Sequence, residues 1–131
     1  MRQRHPARPE CISPLRRAVV AFARQSGASN RQAEDIAVAV SEALSNAVVH
    51  AYAGRDEPGD VVVQARLQDH SLEVEVCDEG IGMLPRADSP GLGLGLGLMA
   101  HEASHCEIRS SPSGGTEVVL RFELPAGAST G

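Results

Sequence analysis

"VVVQARLQDHSLEVEVCDEGIGM", residues 61–83, is the stretch on which the fold turns. Val61, Val63, Ala65 and Leu67 alternate along the chain, a polar "QDHS" interrupts, and Leu72, Val74 and Val76 alternate again. Period-two alternation on both sides of a short polar break predicts two antiparallel strands joined by a turn. The second strand runs directly into Asp78, Gly80 and Gly82. A carboxylate held at a strand end can accept a hydrogen bond from an exocyclic amine, and the glycines let backbone approach a flat ligand closely. Taken alone, the same spacing is also an ordinary tight turn.

Toward the N-terminus, Ser13-Pro14 reads as a cap and first helical position, with Leu15, Ala18, Val19, Phe22 and Ala23 at helical spacing behind it. This helix should end near Ser26-Gly27. Ser29 and Gln32 form a capping-box pattern that opens a second helix running to about His50, where "AYAGRDEPGD" breaks it. Glu42, Asn46 and His50 follow one another at four-residue intervals, each displaced by only ~40° on a helix. An acid and an amide one turn apart suit a divalent metal or an activated hydroxyl. By itself the stripe is equally a solvated helix face. Ile36, Val40, Ala43 and Ala47 occupy a different, apolar face that would pack on the sheet.

Toward the C-terminus stands "SPGLGLGLGLMA", residues 89–100. A glycine at every second place would leave one face of a strand nothing to pack. As a loop entering a helix, the stretch instead presents bare N–H groups and the positive end of a helix dipole to an anion. Gly93 and Gly95 would give the close approach; a plain glycine-rich turn is the alternative. A short helix from about Leu96 to Glu102 and a second hairpin, Cys106–Arg109 with Thr116–Leu124 turned by "SPSGG", complete the pattern. The order predicts an α/β fold: a two-layer sandwich in which helices cover one face of a mainly antiparallel, mixed sheet. Residues 1–12 are expected to be a flexible N-terminus, 13–124 one domain, and 125–131 a flexible tail.

Composition narrows the function. At 131 residues the chain has room for one core. The formal charge of −5 and 2% aromatic content argue against a nucleic-acid surface. All 12 basic residues are arginines, which excludes the P-loop lysine, the strand lysine of eukaryotic-type protein kinases and Schiff-base chemistry. No apolar run reaches the ~18–20 residues of a membrane span, and "MRQRHPARPE" lacks the apolar core of a signal peptide, so a cytoplasmic location is expected. Cys11, Cys77 and Cys106 have neither CxxC spacing nor a histidine at ligand spacing, and read as small buried or half-buried thiols.

Taken together and in this order, "SEALSNAVVHAY", "DEGIGM", "GLGLGLM" and "GGTEVVLRF" resemble the N, G1 and G2 boxes and the closing GT motif of the GHKL ATPase superfamily, whose members include gyrase, histidine kinases and MutL. The N-box wording and the short form look most like the anti-sigma-factor serine kinases of the RsbW type. The resemblance implies the histidine-kinase-like ATPase fold with ATP and Mg²⁺ as its ligands. It implies Glu42 as the general base toward a serine hydroxyl, Asn46 as the Mg²⁺ ligand and Asp78 as acceptor for the adenine amine. Gly80 and Gly82 would pass beneath the base, Gly93 and Gly95 would cradle the phosphates, and Thr116 would stand near the adenine pocket. His50 matches a residue common in the subfamily without an assigned chemical step. Only Met83 to Leu92 separates the two glycine boxes, which implies a short nucleotide lid carrying Arg86.

The partners so implied are a sigma factor and a STAS-type anti-anti-sigma protein phosphorylated on serine or threonine, with a homodimer, no direct nucleic-acid contact and no membrane. A nucleotide-gated switch that sequesters its partner without transferring phosphate is the alternative.

Overall fold

Five strands and two long helices make up the described part of the chain, residues 1–52, 59–78, 105–110 and 115–125 of a computed structural model. In order these are β1 (Arg2–Pro6), a 3-10 turn (Pro9–Cys11), α1 (Ile12–Gln25), α2 (Asn30–Tyr52), β2 (Asp60–Gln68), β3 (Ser71–Asp78), β4 (His105–Ser110) and β5 (Thr116–Glu123). The anticipated first hairpin forms, with β2 and β3 in register from Val61 opposite Asp78 to Gln68 opposite Ser71. Its tip needs one left-handed residue, supplied by Asp69 at φ 57°. A short polar side chain tolerates that conformation better than most.

β5 pairs with the other side of β3, β4 pairs outside β5, and β1 pairs outside β2. The sheet order is therefore β1-β2-β3-β5-β4. Every described pairing is antiparallel, so the mixed component of the expectation is absent among the described residues. The anticipated second hairpin is present as β4 and β5, with Cys106 opposite Leu120. The short helix expected near 96–102 lies outside the described residues.

Two expectations near the N-terminus are corrected. Residues 1–12 do not form a flexible leader: Arg2–Pro6 is an edge strand, with Arg4 opposite Val62, and the Met1 ammonium donates to the Ala65 carbonyl at 2.8 Å. No apolar alternation announces this strand, because its hold on the sheet is backbone pairing, and a charged, proline-ended sequence suits an edge that must not recruit further strands. Ser13 is not the cap of α1. The helix starts at Ile12 with Cys11 in the cap position, and the Ser13 hydroxyl accepts a bond from Arg16 Nη2 at 3.4 Å.

The remaining boundaries follow the local chemistry. α1 closes in a Schellman motif: Gly27 adopts φ 107°, its N–H reaches Arg24 O at 3.1 Å, and Ala28 N–H reaches Ala23 O at 2.9 Å. Ser29 and Gln32 make the reciprocal capping box, each backbone N–H bonded to the other's side chain at 3.1 Å. Gln32 also donates through Nε2 to Glu123 O at 2.7 Å, riveting the start of α2 to the end of β5.

The core lies between the helices and one sheet face. Leu15, Val19 and Ala23 of α1 meet Ile36, Val40 and Leu44 of α2, and these pack with Val61, Val63, Leu72, Val74, Val76, Leu120 and Phe122. Each fully buried leucine or valine stabilises by about 1.5–3 kcal/mol. Ala39, Ala43 and Ala47, at one-turn intervals on α2, are buried with them. Side chains this small let the helix lie close to the strands. On the opposite sheet face Glu73 is gripped by Arg66 at 2.8 Å and Arg121 at 2.9 Å, an ion triad across β2, β3 and β5.

Candidate functional site

Asp78 is the last residue of β3 and Thr116 the first of β5. Because the two strands are antiparallel neighbours, both residues fall at one end of the sheet. Asp78 is buried, at 7% exposure, and so is Thr116, at 5%. A carboxylate out of water must be hydrogen-bonded to remain acceptable there. The Thr116 backbone N–H donates to Asp78 Oδ1 at 3.4 Å.

α2 carries the second pair of candidate groups. Its first turn is tied to Glu123, which pairs with Ser71 at the far end of β3. From Gln32 to Asn46 the helix rises ~21 Å at ~1.5 Å per residue. From Ser71 to Asp78 the strand spans ~23 Å at ~3.3 Å per residue. The two lengths are similar. Glu42 and Asn46, both half-buried, stand one turn apart on α2. The described residues thus include a buried carboxylate at a sheet end and, on α2, an acid and an amide one turn apart.

Of the other anticipated residues, Gly80, Gly82, Gly93, Gly95 and Arg86 lie outside the described residues, as does the side chain of His50. The cysteines are unsuited to nucleophilic work. Cys11 is buried and Cys77 and Cys106 are half-buried. Burial pushes all three thiols up, that of Cys77 to about 11, with the charges of Glu117, Glu75 and Asp78 adding to the effect.

Two features near Glu42 have no counterpart in the sequence reading. Arg16 of α1 reaches Ser41, the residue before Glu42, at 3.4 Å and so ties α1 to α2 beside the candidate base. Val38 and Val49, the exposed large hydrophobics among the described residues, lie on the same side of α2 as Glu42. Only the burial of the opposite face identifies them, since valines in a helix sequence otherwise read as core.

Comparison with known proteins bears on the family and the fold. A family model described as a histidine kinase-like ATPase domain matches residues 5–122. The serine-protein kinase RsbW of Bacillus pumilus is 41% identical over 133 aligned positions, covering 89% of this chain and 82% of that protein. The anti-sigma F factor of Clostridium acetobutylicum is 29% identical over 88% of this chain and 87% of its own length. Among solved structures, one of the RsbU and RsbW domains of a Mycobacterium tuberculosis protein superposes with a TM-score of 0.72 at 27% identity, covering 96% of this chain and 34% of that longer one. No helix among the described residues is long and apolar enough to cross a membrane.

Proposed function

The chain belongs to the histidine kinase-like ATPase domain family, and on that premise we propose that it is an anti-sigma regulatory protein that binds Mg·ATP and phosphorylates a serine or threonine on a STAS-type partner. The observation that supports this reading is buried Asp78, bonded to the Thr116 amide at one end of the sheet, together with half-buried Glu42 and Asn46 one turn apart on α2.

Asp78 accepts the adenine exocyclic amine at its carboxylate. That geometry favours adenine, because guanine presents a carbonyl at the same ring position. Asn46 offers its side-chain carbonyl oxygen to Mg²⁺, an ion that typically takes one or two protein oxygens and draws its other ligands from phosphates and water. When bound, the ion neutralises charge developing on the phosphate chain. Glu42 orients the acceptor hydroxyl and takes its proton as the serine oxygen bonds to the γ-phosphorus. The bond from that phosphorus to the bridging oxygen breaks, ADP leaves with the electron pair, and the proton on Glu42 passes to solvent. Positioning and charge neutralisation supply most of what phosphoryl transfer needs, so a chain without lysine is adequate.

The unphosphorylated partner and a sigma factor compete for this protein in the cytoplasm, and the protein works as a homodimer. The names carried by the relatives, anti-sigma F factor and serine-protein kinase, support the pairing of sequestration with transfer. The test is transfer of γ-labelled phosphate from Mg·ATP into small host proteins by wild type and Glu42→Gln side by side. Label on a serine or threonine that disappears with the variant is the expected result. ATP binding without label from either protein would instead leave a nucleotide-gated sequestering switch.

A further inference from the structure

β1 and β4 are the outer strands of the sheet, and the phase of the hydrogen-bond ladder fixes which backbone groups each turns outward. Met1 and Ala65 bond to each other in both directions, and Ala7 N–H donates to Gly59 O at 2.8 Å. Opposed residues of an antiparallel pair alternate between bonded and non-bonded. Gln3 and His5 therefore bond toward β2, while the backbones of Arg2, Arg4 and Pro6 face outward. Carried through the registers of β2, β3 and β5, the same alternation turns His105, Glu107 and Arg109 toward β5 and the backbones of Cys106, Ile108 and Ser110 outward. The Leu124 N–H to His70 O bond, at 2.7 Å, has the phase this requires.

The two edges differ in what they offer. Pro6 has no N–H, so the outward side of β1 is interrupted. β4, HCEIRS, contains no proline, and no described strand pairs with its outward side. An open edge of this kind is a template for another strand. Cys106 and Ile108 face the helix layer and pack against the core, yet both stay only half-buried.

We infer that β4 pairs antiparallel with β4 of a second copy, about a two-fold axis at Ile108, so that the two sheets become one. The pairing rests on the homodimer of the reading above and gives it a surface. With the axis at Ile108, the outward backbone of Cys106 meets that of Ser110 in the second copy, and Ile108 meets its own equivalent. Glu107 then stands directly opposite Arg109 of the second copy, and symmetry makes the contact twice. These are non-bonded positions, where opposed side chains come closest and opposite charges are favourable. Moving the axis one residue, to Glu107 or to Arg109, sets that residue against its own charge. Charge thus selects the register. Arg109 now meets Glu117 at 3.3 Å and Glu107 meets His105 at 3.7 Å, both at the surface and therefore weak. A guanidinium has donors for a second carboxylate.

The test is sedimentation equilibrium on wild type, Glu107→Arg and Arg109→Glu. Each variant puts like charges opposite one another twice, and should weaken self-association at least ~10-fold. Mixed in equal amounts, the two variants should dimerise with each other, because one carries arginine and the other glutamate at both positions. Amide exchange on the wild type needs no variant: exchange in 105–110 should slow as protein concentration rises through the dimerisation range. Variants that dimerise normally alone, folded variants that stay monomeric when mixed, or β4 amides indifferent to concentration would each overturn the pairing. A dimeric wild type with any of those results leaves the homodimer standing on another surface; a monomeric wild type removes the homodimer and the pairing together.

Discussion

Thr116 and Asp78 meet where two antiparallel strands share an end, the backbone N–H of one donating to Oδ1 of the other at 3.4 Å. This bond uses no side chain of Thr116, so it depends on the register of β3 against β5 and not on the identity of the residue. The site's proposed adenine recognition is thus a consequence of strand pairing.

Asp78→Asn replaces an acceptor-only group by one that also donates. ATP affinity should fall by at least tenfold and GTP affinity by much less, compared by titration calorimetry. Equal losses for both nucleotides would remove the adenine-reading role.

Glu42→Gln keeps the size of the side chain and removes its ability to accept a proton. Nucleotide affinity should stay within a few fold of wild type, whereas transfer should drop by at least ~10²-fold, the usual scale of a general base. Unchanged transfer in a single-turnover assay would assign the base elsewhere.

Glu73 is held below the usual carboxylate range by the Arg121 hydrogen bond and then by Arg66, against the opposing effect of desolvation. A group whose pKa is lower folded than unfolded stabilises the protein above its unfolded pKa. That contribution is lost as pH falls through the folded value. Part of the acid unfolding limb, beginning near the ordinary glutamate pKa of ~4.3, should therefore vanish in Glu73→Gln. At neutral pH the variant should lose only about 1 kcal/mol, because both arginines are substantially exposed. Urea melts at pH 7 and pH 3.5 separate the two effects.

Gly27 closes α1 at φ 107°, where a Cβ is disfavoured. Gly27→Ala should cost about 1 kcal/mol and lower the thermal midpoint, with little change in nucleotide affinity. A neutral substitution would mean that the Schellman closure relaxes at no cost.

Much of the architecture was legible before any coordinates. The alternation in 61–76 specified the first hairpin because strand periodicity is exact, and the Ser29/Gln32 box located the start of α2 because its two bonds are local. The apolar side of α2 followed from Ile36, Val40, Ala43 and Ala47 in the same way. The candidate residues Glu42, Asn46, Asp78 and Thr116 stood out as motif positions, and the order of the motifs carried the family resemblance.

What the chain could not announce was everything that depends on residues distant in sequence. β1 exists because β2 offers it a backbone edge, and its polar sequence carries no trace of that pairing. Ser13 lost its capping place because the turn at Pro9–Cys11 starts the helix earlier, leaving its hydroxyl to Arg16. The Asp78–Thr116 bond joins residues 38 apart, and the exposure of Val38 and Val49 follows from which face of α2 the sheet covers. Local chemistry thus determined the elements and nominated the reactive groups. Tertiary pairing alone decided which of them share an end of the sheet, because hydrogen-bond register and burial are relations between segments.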